Sequence, residues 1–154
     1  MAPLFAFIFL ASLSIWVGSI IFFSWVATPN VYGAWPPQQA IRAMAPMARS
    51  YLTLGWICGL IALLSSLFMA PIDGIYVTGR IVLVAVMFLL ALYLSFGLGS
   101  KVRQAQQTME EAGDGEVPKE ALASFDEFHG TVSQLNGALL LLGFLVVFIT
   151  AFYV

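Results

Sequence analysis

Four stretches of this chain are apolar for about twenty residues each, the length a helix needs to cross a bilayer core. They run over about 3–27, 51–70, 76–98 and 131–154. Strands of a membrane barrel are about ten residues long and alternate apolar with polar. These runs are continuous and about twice that length. A helix also satisfies its own backbone hydrogen bonds, which lipid cannot do. The predicted fold class is therefore all-α, an integral membrane four-helix bundle forming a single membrane domain over 1–154.

Composition agrees. The chain is 61% hydrophobic and 9% charged, whereas a soluble domain is nearer half apolar and a quarter charged. A core of this size cannot hide that excess, and lipid is its natural solvent. The formal net charge is −2, and no cluster of Lys and Arg suits nucleic acid. Cys58 is the lone cysteine and reads as a buried core residue. No Lys or Arg precedes the first apolar run, which is too long for the core of a signal peptide. It reads as a retained membrane helix.

The connections are unequal. A short turn at Pro71-Ile72-Asp73-Gly74 makes the second and third helices a hairpin. Thr28-Pro29-Asn30 is expected to stop the first helix, because proline disfavours helix before it. Between the first two spans, Pro36-Pro37 opens a short interfacial helix with Ile41, Met44 and Ala48 on one face, interrupted by Pro46. The polar loop at about 100–130 holds all the acids but Asp73. It is expected to prolong the third helix to about Ala112 and turn at Gly113-Asp114-Gly115. A second amphipathic piece then starts at Pro118. Phe9–Ser19 and Phe88–Ser100 share a loose likeness, which reads as composition.

Arg42, Arg49, Lys101, Arg103 and Lys119 flank one side of the bundle, and Arg80 alone flanks the other. The positive-inside bias then puts both long loops in the cytoplasm and both termini outside. A bacterial cytoplasmic (inner) membrane fits this pattern. Arg80, near the start of its helix, is expected to snorkel toward Asp73.

Polar side chains within the spans are few. Asp126, His129, Ser133, Asn136 and Leu140 recur at three- and four-residue steps and so share a helical face. An amide as deep as Asn136 should face the bundle. Its bland role is a hydrogen bond to a neighbouring helix, a contribution of about 1 kcal/mol. Arg49 and Thr28 fall on the same membrane side as His129. The candidate binding face is Arg49, His129, Ser133 and Asn136. His129 is the single histidine, and Met44 and Met47 could join it around a soft metal ion; a surface histidine bonded to a loop is the simpler reading. Gly55-Trp56-Ile57-Cys58-Gly59 is a small-residue motif that suits close helix packing within the chain or against a partner. No catalytic motif is present, so no catalytic residue and no cofactor are assigned.

The Trp16-Val17-Gly18 with Phe22-Phe23 and Pro29, the Arg49-x-Tyr51, and the Phe128-His129-Gly130-x-x-Ser133-x-x-Asn136 resemble the transmembrane-protein-205-like family, itself a domain of unknown function. The resemblance covers nearly the whole chain, and the fourth-helix motif is its most specific part. It implies a small four-helix membrane protein, with eukaryotic members associated with resistance to platinum drugs. It implies no catalytic activity, and it favours His129, Ser133, Asn136 and Arg49 as a polar core. Helix 1 also resembles the haem-binding protoporphyrinogen oxidase of bacterial membranes. That family needs histidines within its helices, and the first three helices here have none.

The expected function is a non-enzymatic membrane protein that binds or helps move a small solute or metal. Two alternatives stay open. One is an accessory subunit of a larger, energy-converting membrane complex, with a homo-oligomer as the simpler assembly. The other is a metal or redox enzyme, which the sequence disfavours.

Overall fold

The computed structural model describes residues 2–73, 76–111 and 118–153, and every regular element among them is helical. α1 (Ala2–Ile21) passes through a six-residue π-helical segment (Phe22–Ala27) into α2 (Thr28–Ala34). After Trp35 and Pro36, α3 runs from Pro37 to Asp73. α4 (Tyr76–Leu92) passes through a second six-residue π segment (Tyr93–Leu98) into α5 (Gly99–Glu111). α6 (Lys119–Tyr153) closes the chain. Among the described residues, four helical stretches are long and apolar enough to cross a membrane: Pro3–Ala34, Gln38–Met69, Thr78–Leu98 and Leu122–Ala151. The protein is an all-helical integral membrane protein.

The four long helices pack in a ring. α1 lies against α3, α3 against α4, α4 against α6, and α6 against α1. Large apolar side chains such as Phe7, Trp25, Leu89 and Leu141 face outward, as lipid contact requires. The core is a set of three- and four-residue ladders. On the first helical unit it is Phe9, Leu13, Trp16, Ile20, Phe23 and Ala27. On the third span it is Arg80, Val84, Met87, Ala91, Leu94 and Leu98, at identical spacing. The π segments occupy matching places in the two ladders. α3 and α6 match as well: Met44, Ala48, Leu52, Gly55, Gly59, Ala62 and Ser66 are buried in the same rhythm as Phe128, Val132, Asn136, Leu139, Gly143, Val146 and Thr150. Each half of the chain is thus a span, a π segment, a helical extension and a long returning helix.

Several helix ends differ from the sequence expectation, each for a physical reason. The first helix does not stop at Thr28-Pro29-Asn30 but runs on to Ala34. The wider π turn relieves the clash of the Pro29 ring with the preceding turn. The Thr28 amide and hydroxyl both reach back to the Phe23 carbonyl, the latter at 2.8 Å. The interfacial helix after Pro37 is continuous with the second span. Pro46 is exposed and removes one backbone bond, while Ala40, Ile41, Met44, Ala45 and Ala48 are all buried and hold the helix together. In the same way, the amphipathic piece after Pro118 and the fourth span form the single helix α6. At about 1.5 Å per residue, the 37 residues of α3 reach about 55 Å, far beyond a bilayer core of about 30 Å. The turn expected at Gly113-Asp114-Gly115 lies outside the described residues.

Two further packing features matter. Gly55 and Gly59 are buried under Trp16: a Cβ on Gly59 would stand 3.0 Å from Trp16 Cη2 and 3.0 Å from Phe88 Cδ2. The small-residue motif therefore seats an indole of the same chain. Arg80, expected to snorkel toward Asp73, is 4% exposed and packs within the bundle. Its Nε donates to Ser66 Oγ at 3.3 Å, and its Cζ lies 5.4 Å from the centre of the Phe9 ring. The Asp73 side chain lies outside the described residues.

Candidate functional site

A cluster of polar contacts between helices lies where the first π segment, α3 and α6 meet. Asn136 on α6 is 2% exposed. Tyr51 on α3 donates its hydroxyl to Asn136 Oδ1 at 2.6 Å. Asn136 Nδ2 donates to Ser24 Oγ at 3.2 Å. Ser24 belongs to the first π segment, whose wider turn sets the direction of its side chains. Phe23, one residue earlier, stacks flat on Tyr51 with ring centres 4.4 Å apart and planes 4° apart. Three helices are tied together by one amide and two hydroxyls.

His129 lies about two turns before Asn136 on α6, half-buried, with its ring 5.6 Å from that of Tyr32 on α2 and tilted by 41°. These two rings separate two spaces. On the inner side is a cavity of about 10 Å³, lined by Phe23, Met44, Ala48, Tyr51 and Val132 among others. It has room for about one water molecule. On the outer side is an open groove of about 500 Å³, formed by Ser24, Trp25, Thr28, Pro29, Tyr32 and His129. A second groove, of about 440 Å³, runs between the first π segment and α3, past Phe22, Met47, Ser50 and Leu54. Phe23 and Tyr51 form its inner wall and also face the small cavity.

The four residues singled out in the sequence do not all converge. Asn136 is buried at the heart of the polar cluster, and His129 shares the small cavity with Tyr51. Ser133 and Arg49 are exposed and line none of these three spaces. The Asp126 side chain lies outside the described ones. Of the two methionines considered with His129, Met44 lines its cavity, while Met47 is 40% exposed in the other groove. Among the described residues no three His, Cys, Asp or Glu side chains come together as a metal site would need.

Ser24, Tyr32 and Tyr51 were not singled out as site residues from sequence. Serine within an apolar helix is common, and it often bonds its own preceding turn, as Ser12 does to the Ile8 carbonyl at 2.8 Å. Tyr51 had one signal, its position at the start of an apolar run two residues after Arg49.

The sequence profile of one family, a domain of unknown function (DUF4149), matches residues 11–111. The chain belongs to this DUF4149 family. The match takes in both π segments and holds Ser24, Tyr32, Arg49 and Tyr51, while His129, Ser133 and Asn136 lie beyond its end. No curated protein and no solved structure matches the chain.

Proposed function

We propose that this DUF4149 protein is a non-enzymatic membrane protein that binds, or helps move, a small uncharged molecule at the Ser24–Tyr51–Asn136 cluster. The observation that carries this reading is the position of the cluster. A polar network with its Tyr51 end at a small cavity and its Ser24 end at an open groove joins the two spaces, and Tyr32 and His129 line both. Networks that only join helices need no adjoining groove. Convergent neutral polar groups beside a largely apolar groove are the ordinary makings of a small-molecule site. None of the residues lining the groove is Asp, Glu, Lys or Arg, so an uncharged ligand suits it better than an ion. The likeness of the fourth-helix motif to the transmembrane-protein-205-like family belongs to the same reading, because it gathers His129 and Asn136 in one pattern. So does a bacterial cytoplasmic membrane with the long loops inside.

The test is purification of the whole chain in native lipid particles, with mass spectrometry of the small molecules carried along. Wild type is expected to retain a species that Asn136→Leu loses while keeping its helical circular dichroism. Identical small-molecule content in the two proteins overturns the reading.

A further inference from the structure

The hydrogen bonds of the cluster share one direction. Tyr51 donates to Asn136, and Asn136 donates to Ser24. Each link polarises the next, so the chain strengthens the donor at its far end. That donor is the hydroxyl hydrogen of Ser24, which no group among the described residues accepts. Ser24 lines the outer groove. His129 lines it too, and its ring nitrogens make no hydrogen bond with the described residues. The Thr28 hydroxyl is already given to the Phe23 carbonyl. The groove therefore offers one reinforced O–H donor and one free imidazole. Trp25, 71% exposed, and Tyr32 add two flat aromatic faces.

Each feature narrows the ligand. A donor without a protein acceptor calls for an oxygen acceptor on the ligand. The lack of fixed charge in the lining disfavours an ion, whose desolvation nothing would offset. Rings beside the donor favour a flat molecule that can stack. The volume, about 500 Å³, lies in the usual range for small-ligand pockets. Access is from the lipid side, since Trp25 is among the most exposed apolar side chains of the protein. We infer that this groove binds a flat, uncharged, bilayer-soluble carbonyl compound of the quinone class. Ser24 donates to one carbonyl oxygen, the ring lies against Trp25 and Tyr32, and His129 takes a second polar atom. This inference rests on the reading of the site given above.

The full chain in phosphatidylcholine nanodiscs is titrated with decylubiquinone while tryptophan fluorescence is followed. Saturable quenching is expected, and Trp25→Phe removes most of it. Ser24→Ala weakens apparent affinity about 5- to 10-fold, the worth of one good neutral hydrogen bond. Tyr51→Phe, which leaves the groove lining intact, weakens it about 2- to 3-fold by unpolarising the chain. If Ser24→Ala fails to fold, the Tyr51→Phe shift decides. Decylbenzene, which has the tail but no carbonyl, should not compete. Unsaturable quenching overturns the inference, as do equal affinities in wild type and both variants. Displacement by decylbenzene does so too, marking a site for lipid chains. If decylubiquinone fails while a co-purifying molecule still depends on Asn136, the quinone class falls and the site stands; if both fail, the site falls as well.

Discussion

Asn136 engages both ends of its amide with other helices, and this makes it testable apart from any ligand. Asn136→Leu keeps the branched outline of the side chain but strips Tyr51 of its acceptor. Interhelical bonds in membrane proteins contribute modestly, so a loss of about 1–2 kcal/mol is expected. Tyr51→Phe on that background removes the orphaned hydroxyl. The double variant should therefore be less destabilised than the sum of the singles, as a double-mutant cycle of unfolding in mild detergent would read. Strict additivity would mean that the two side chains are not coupled. Glycines give a second contrast at this scale. A Cβ on Gly143 would meet Val17 Cγ2 at 2.7 Å, on a β-branched side chain with little rotamer freedom. Nothing stands within 4 Å of a Cβ on Gly137. Gly143→Ala is expected to cost about 1–3 kcal/mol. Gly137→Ala should be neutral, or stabilising by up to about 1 kcal/mol through helix propensity. Thermal unfolding of the two variants checks the order. Asn136 was legible in the sequence because an amide in an apolar run has few comfortable places. Ser24 was not, because its role depends on which way a turn points it.

The turn that points it is the first π segment, and no residue pattern announced it. The sequence offered Pro29, which reads as a helix stop. What sequence could not decide was whether the chain would end its helix or widen it. Burial of Phe23 and Ala27 on one side and the Thr28 bonds to the Phe23 carbonyl favour widening. The same logic explains the fusion of both amphipathic pieces with their spans. Helix continues wherever it buries a face, and a single proline such as Pro46 does not outweigh five buried neighbours. If Pro29 maintains the π turn, Pro29→Ala allows collapse to α-helix. Losing the extra residue would rotate everything after it by about 100°. Tyr32 would then leave His129. A short bismaleimide between Tyr32→Cys and His129→Cys should cross-link well with Pro29 present and poorly with Pro29→Ala. Unchanged cross-linking would show that packing alone holds the π turn.

At the scale of the whole molecule, the four spans were legible from apolar length alone, but the likeness of the two halves was not. It lies in the register of burial and in the paired π segments, and lipid-facing positions mask it with interchangeable apolar residues. In this arrangement Phe9 and Arg80 occupy equivalent ladder positions and also touch each other. That contact bears on orientation. Arg80 was the single basic residue counted against the inside placement of the long loops. It packs under Phe9 and bonds Ser66 within the bundle. Arg42, Arg49, Arg103 and Lys119 are exposed, all on the side of the long loops. The positive-inside bias makes an orientation with the long loops in the cytoplasm a prediction to test. Cys58 is buried within its span, and Cys58→Ala supplies a background for labelling. On it, an impermeant maleimide added to intact cells should label Thr78→Cys, an exposed site at the short-turn end. Gln107→Cys, exposed on α5, should react only after the membrane is opened. The opposite pattern reverses the orientation. With the expected pattern, the groove at Ser24 and His129 opens toward the cytoplasmic leaflet, and any molecule it takes from lipid is drawn from that side.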